Sequence, residues 1–216
     1  SLKEGSDQAQ ARGKQFVVVS NIFPHNAKLT TYLDDMAPVI ALKPDALIMS
    51  DPGLIDMVRE TWPEQAVHLS VQSNTVNWAA VRFWKKLGLT RIILSRELSL
   101  EEVAEIRQQC PDIELEVFVH GALCIAYSGR CLLSGYFNHR DPNQGSCTNS
   151  CRWDYKVSTS DGAPAASCGQ PFQEQEILLE EKMRPGELMP IEEDEHGTYI
   201  MNSQDLRAIE HVQRLV

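Results

Sequence analysis

"RIILSRELSLEEVAEIRQQ", residues 91–109, reads as one complete strand–turn–helix unit. Its first five residues are mostly apolar and β-branched, a run long enough for a buried strand and too short for a helix. Arg96 and Glu97 then interrupt it with charge. Ser99 stands where a helix N-cap belongs, Glu102 completes a capping box, and Leu98 and Val103 can form the hydrophobic staple around it.

Four other stretches repeat the theme: "FVVVS" at 16–20, "ALIMS" at 46–50, "VHLSV" at 67–71 and "ELEVFV" at 114–119. Helical patterns lie between them. Leu29, Leu33, Met36 and Ile40 share one face of the first, with Pro38 interrupting it. Trp78, Val81, Trp84 and Leu87 line another, which stops at Gly88. Strands alternating with helices predict an α/β fold with a parallel sheet, and the mostly apolar strands fit burial on both faces.

Every strand run ends in hydrogen-bonding residues. Asn21 and "PHN" (24–26) follow the first, Ser50 and Asp51 the second, Gln72 to Asn74 the third, Ser95 to Glu97 the fourth, and His120 with Gly121 the fifth. A βα barrel builds its active site on that face. Loop polarity and helix capping account for some of the same residues.

Five strands and a sixth candidate at 198–201, "TYIM", cannot close an eight-stranded barrel. A helix expected over Ser203–Val216, with Leu206, Ile209 and Val212 on one face, has no strand after it. The expectation is a partial TIM-barrel-like domain, an internal piece of a longer barrel, with an open sheet as the alternative. Its bare edge calls for a partner chain, self-association or residues outside this sequence. The expected organisation is a barrel portion at 1–155 with a cysteine-rich region at 120–155, a variable extension at 156–190, and a returning strand and helix of the same barrel at 191–216.

Four of the six cysteines fall in that cysteine-rich region. Cys124, Cys131, Cys147 and Cys151 are separated by six, fifteen and three residues. The tight two-residue spacing of zinc ribbons is absent, whereas an iron–sulfur cluster accepts thiolates from wider loops. Spacing leaves iron–sulfur, zinc and no metal open. Gly121, Gly129, Gly135 and Gly145 would let backbone approach a cluster, and Arg130 and Arg152 neighbour two of the thiols. Cys110 and Cys168 read as unligated.

No positively charged start leads into an apolar export segment, so a reducing cytoplasm is the expected compartment. No apolar run approaches the roughly 20 residues that span a bilayer, so no membrane partner is expected. The net charge of −10 argues against a surface that coats nucleic acid. That charge is uneven: residues 1–156 carry 16 basic and 18 acidic side chains, residues 157–216 carry 4 and 12. A local basic rim at Arg96, Arg130, Arg140, Arg152 and Lys156 therefore stays open as an RNA contact. Zinc-protease, nucleophile-elbow and phosphate-loop motifs are absent.

"EVFVHGALCIAYSGRCLLSGY", 116–136, resembles the defining motif of the collagenase-like peptidase family U32. "NIFPHNAKL" (21–29), "PDALIMSDPGLI" (44–55), "HLSVQSNTVNWAAVRFW" (68–84), "FNHRDPNQGSCTNSCRW" (137–153) and "EDEHGTYIMNSQDLRAIEHVQRL" (193–215) are similar to its bacterial tRNA-hydroxylating branch. The resemblance implies a βα-barrel catalytic region with two further βα units before this chain and a continuation after it. It implies a [4Fe-4S] cluster on Cys124, Cys131, Cys147 and Cys151, and oxygen-independent hydroxylation of wobble uridine in tRNA with a prephenate-derived hydroxyl donor. The site set it implies is His25, Asn26, Asp51, Gln72, Asn74, Arg96, Glu97 and His120. In this reading Arg96 clamps a carboxylate or phosphate, and His120 or Glu97 moves a proton. The alternatives are a peptidase, after the family's label, and a non-catalytic zinc- or RNA-binding module.

Overall fold

The computed structural model describes residues 1–122, 124, 126–153, 155–159, 177–181, 185–186, 188–191, 193–194, 197–198 and 205–216. The chain forms two compact units: residues 1–148 together with 205–216, and residues 149–204.

In the first unit, α1 (Leu2–Ala11) starts from a capping box between Ser1 and Glu4. Four βα units follow: β1 (Val17–Ser20) and α2 (Asn26–Ile40), β2 (Ala46–Met49) and α3 (Pro52–Thr61), β3 (Val67–Leu69) and α4 (Trp78–Lys86), β4 (Arg91–Ile93) and α5 (Leu100–Gln109). β5 (Glu114–Glu116) completes a five-stranded sheet. All pairings are parallel and the strands lie in sequence order, as consecutive staves of a βα barrel do. The expected α/β fold with its parallel sheet is present. The capping box at Ser99 and Glu102 opens α5. α2 runs through Pro38, which lies in its last turn and costs the helix one N–H of its hydrogen-bond ladder.

Register sorts the strand residues into two faces. Met49, Leu69, Ile92 and Leu115 stand side by side, and so do Val18, Leu47 and Val67. Leu47, Met49, Val67, Leu69 and Ile92 are fully buried in one core with Leu54 and Val58 of α3 and Val81 of α4. Each such aliphatic side chain contributes about 1.5–3 kcal/mol by leaving water. The opposite row runs Val19, Ile48, His68, Arg91 and Glu114. Burial on both faces holds for the central strands only: Val19 on edge strand β1 is 58% exposed, and Glu114 on β5 is exposed.

The fifth strand is shorter than the sequence suggests. It stops at Glu116, and the chain re-forms as β6 (His120–Ala122), where Gly121 takes φ 125°. Then come α6 (Leu133–Asn138), β7 (Tyr155–Thr159), β8 (Ile177–Glu181), β9 (Leu188–Ile191), β10 (Glu193–Asp194), β11 (Gly197–Thr198), β12 (Asp205–Arg207) and α7 (Val212–Leu215). In the second unit, β7, β8 and β9 form an antiparallel sheet within and beside the stretch expected to be a variable extension, and β10 pairs antiparallel with β11. Of the candidate strand at 198–201, Thr198 ends β11 and the remainder lies outside the described residues.

The helix expected over Ser203–Val216 is not formed as such. Asp205–Arg207 pairs antiparallel with His120–Ala122, and the Ala208 N–H donates to the Val119 carbonyl at 2.8 Å. A 3₁₀ turn at Ile209–His211 and the short α7 follow. The backbone groups of 119–122, released from the parallel sheet, find partners in this pairing, which outweighs a helical pattern whose apolar face has little to pack on. Ile209 is 59% exposed. The returning segment joins the first unit as an antiparallel strand, not as a parallel barrel stave. Among the described residues no helix is long and apolar enough to cross a membrane.

Candidate functional site

The strand ends are laced together by short polar side chains. The Ser70 N–H donates to the Met49 carbonyl, and Ser70 Oγ accepts from Asn21 Nδ2 at 3.4 Å and from the Gln72 N–H at 3.3 Å. Ser73 Oγ donates to the Ser50 carbonyl at 2.9 Å. Asn74 sits in the left-handed region at φ 52°, and its Oδ1 accepts from Ser95 Oγ at 2.8 Å. Ser50, Ser70 and Ser95 are all buried. Among the described residues the buried Ser50 Oγ and Gln72 Oε1 have no hydrogen-bond partner.

The residues singled out from the sequence divide accordingly. Gln72 and Asn74 lie together at the end of β3, where Asn74 ties two strand ends. Asp51 caps α3, its Oδ1 accepting from the Leu54 N–H at 2.9 Å. Its charge, together with the larger effect of burial, raises the pKa of the Tyr32 phenol, against a hydrogen bond with Ser20. His25 and Asn26 begin α2 and are exposed, without a side-chain cap bond from His25. Glu97 and His120 are exposed, and His120 pairs through its backbone with Arg207.

Arg96, three residues past the end of β4, directs its guanidinium to a thiol. Its Nη1 donates to Cys124 Sγ at 3.2 Å, and its guanidinium carbon lies 5.0 Å from the centre of the Phe118 ring. Arg130, next to Cys131 in sequence, is exposed and donates to the Gly129 carbonyl. Arg140 is exposed as well.

The loop bearing the thiols is seated on the sheet. The Phe23 N–H, after β1, donates to the Asn143 carbonyl at 3.3 Å, and Gln144 Nε2 donates to the Phe23 carbonyl at 3.0 Å. Asn143 Nδ2 in turn holds the Cys131 carbonyl at 3.0 Å. Gly129 approaches the Gln72 carbonyl with no space for a side chain. Buried Ser134 on α6 reaches Cys147 Sγ at 3.9 Å and accepts from the Thr148 N–H at 3.0 Å. Phe23, Phe118, Ser134, Asn143 and Gln144 are not among the residues singled out from the sequence. One local signal was present: "DPNQG" is an Asp-capped turn, in which Asp141 Oδ1 accepts from the Asn143 N–H at 2.8 Å.

Cys124 and Cys131 are free thiols, the first exposed, and Cys110 is buried with its Sγ toward the Trp78 carbonyl. Cys168 lies outside the described residues. Cys151 lies in a 3₁₀ turn of the second unit, Ser150–Arg152, so Cys147 and Cys151 do not share a helical turn. Among the described residues no three His, Cys, Asp or Glu side chains converge as a metal-binding group. The donor set nonetheless fits an iron–sulfur cluster chemically: soft thiols, with an arginine and a hydroxyl donating to two of the sulfurs, are the outer-shell contacts such ligands use.

The family described as Peptidase family U32 matches residues 1–216. The chain belongs to peptidase family U32. It is 58% identical over 233 residues to the tRNA hydroxylation protein P of Escherichia coli, covering 100% of this chain and 51% of that protein. It is 36% identical over 215 residues to tRNA hydroxylation protein P1 of Bacillus subtilis, covering 100% of this chain and 45% of that protein. A 23S rRNA 5-hydroxycytidine synthase of Escherichia coli is 32% identical over 154 residues, covering 71% of this chain and 23% of that protein. This U32 chain thus spans about half the length of each of these two tRNA hydroxylation proteins.

Proposed function

We propose that this chain is part of an RNA-modifying hydroxylase that converts the wobble uridine of certain tRNAs to 5-hydroxyuridine without molecular oxygen, with a prephenate-derived hydroxyl donor. The observation that carries the reading is the 58% identity, over the whole chain, to a protein named for tRNA hydroxylation. Cys124, Cys131, Cys147 and Cys151 are the residues assigned to a [4Fe-4S] cluster, which when bound supplies one-electron chemistry. Gln72 and Asn74, fixed at the strand ends, and the exposed His25, Glu97 and His120 face the RNA substrate in this assignment; Arg130, Arg140 and Arg152 contact its phosphates.

The peptidase reading has less support. Hydrolysis of a peptide needs an activated nucleophile or water. Among the described residues His25, His68 and His120 share no hydrogen bond with a serine or cysteine.

The test is mass spectrometry of bulk tRNA from a strain lacking the gene. Loss of 5-hydroxyuridine and its derivatives, restored by the intact gene but not by a Cys124→Ala copy, is the expected result. Unchanged modification in the deletion strain would remove the proposal.

A further inference from the structure

We propose that Arg96 sets the electron affinity of the thiolate centre through Cys124, and so acts as a positioning and charge-supplying residue instead of a clamp for a substrate anion. The inference rests on the iron–sulfur reading above and deepens it.

Three observations converge on the side chain. Nη1 stands 3.2 Å from Cys124 Sγ. The guanidinium lies over the Phe118 ring, a stacking contact open to a planar delocalised cation and poorly matched by a compact ammonium. Its backbone is fixed, because Ile93, Leu94 and Ser95 just before it are buried at 4%, 1% and 4% exposure. Arg96 and Phe118 follow neighbouring strands, β4 and β5, so the sheet itself brings cation, ring and sulfur together. Arg130, one of the two arginines adjacent to a thiol in sequence, donates to a backbone carbonyl instead.

The consequence has a definite sign. A one-electron reduction adds one negative charge and forms or breaks no bond. A fixed cation beside a ligand sulfur stabilises the added charge, and raises the reduction potential. Removing the cation makes the reduced form harder to reach.

The experiment uses full-length protein, reconstituted anaerobically, with iron and sulfide counted first. Wild type, Arg96→Leu, Arg96→Lys and Phe118→Leu are then titrated with dithionite, the electron source, and followed by electron paramagnetic resonance. At a fixed potential the reduced-to-oxidised ratio should fall about tenfold in Arg96→Leu, a shift of about 59 mV for a one-electron couple. Arg96→Lys should fall between leucine and wild type, and Phe118→Leu should move in the leucine direction by less. An Arg96→Leu protein with wild-type iron and wild-type potential overturns the inference, as does a lysine variant identical to leucine, which would assign the effect to packing. If the leucine variant does not fold, Phe118→Leu decides: a wild-type potential there overturns the inference. Wild-type protein devoid of iron and sulfide fails at the counting step and removes the parent reading together with this one. An altered KM with unchanged potential would return Arg96 to the role of substrate clamp.

Discussion

A Cβ placed on Gly129 would stand 2.5 Å from the carbonyl oxygen of Gln72 and 3.0 Å from the Phe23 ring. The thiol-bearing loop therefore meets the ends of β1 and β3 backbone to backbone. Gly129 also holds φ 70°, where side chains are strained. Gly129→Ala should destabilise the protein by about 1–3 kcal/mol and speed proteolysis within residues 126–145. Urea unfolding and limited proteolysis measure the two effects; an unaltered midpoint and cleavage pattern would mean that the loop is not seated on the strand ends through Gly129.

Thiol substitutions should separate by role. Serine at Cys124, Cys131 or Cys147 should abolish most of the iron bound after anaerobic reconstitution, with the same result at Cys151. Serine at buried Cys110, whose sulfur faces the Trp78 carbonyl, should leave iron content unchanged while lowering stability. Iron and sulfide analysis beside a melting curve distinguishes them. Equal iron loss from the Cys110 variant would contradict this division.

His68 stands in register between Ile48 and Arg91 and is buried at 8% exposure. Burial, and then the Arg91 charge, lower its pKa from 6.5, against smaller opposing effects of Glu116 and Glu114. Between that lowered value and 6.5 the unfolded chain binds more protons than the folded one, so folding stability rises with pH across the window. Stability from this group is complete above 6.5 and declines as the pH falls through the window. His68→Gln should flatten that part of the pH–stability curve; a variant with the wild-type slope would assign the slope to other groups.

Asn74 accepts from the buried hydroxyl of Ser95, and links the ends of β3 and β4. Asn74→Ala leaves that hydroxyl without its acceptor and puts alanine at a left-handed backbone position, for a loss of about 1–3 kcal/mol. Asn74→Asp retains an acceptor oxygen and should lose less. Chemical denaturation of the two variants gives the comparison, and equal losses would discount the hydrogen bond.

The α/β class was legible in the sequence because its determinants are local. Apolar runs such as 46–49 and 92–94 seed strands with little regard to what lies far away, and Ser99 with Glu102 fixes the start of α5 from four residues. The polar strand ends were legible as a set, but their duties were not. Asp51 caps a helix and Asn74 ties two strands, while Arg96 turns to a thiol 28 positions on. Each duty depends on which strand lies beside which, and one-dimensional spacing does not contain that.

The C-terminal segment shows the same division in reverse. Leu206, Ile209 and Val212 have helical spacing, yet Leu206 pairs with Gly121 in an antiparallel ladder. A short amphipathic pattern stabilises a helix only where its apolar face finds a surface, and backbone groups left unpaired at 119–122 compete for the same residues. The sequence by itself determined the strand–helix alternation, the thiol-rich region and the family. Only the tertiary structure decided that Arg96 reaches Cys124, that Gly129 seats the loop on Gln72, and that the chain's end returns as a strand, because these contacts join residues distant in sequence through a shared sheet edge.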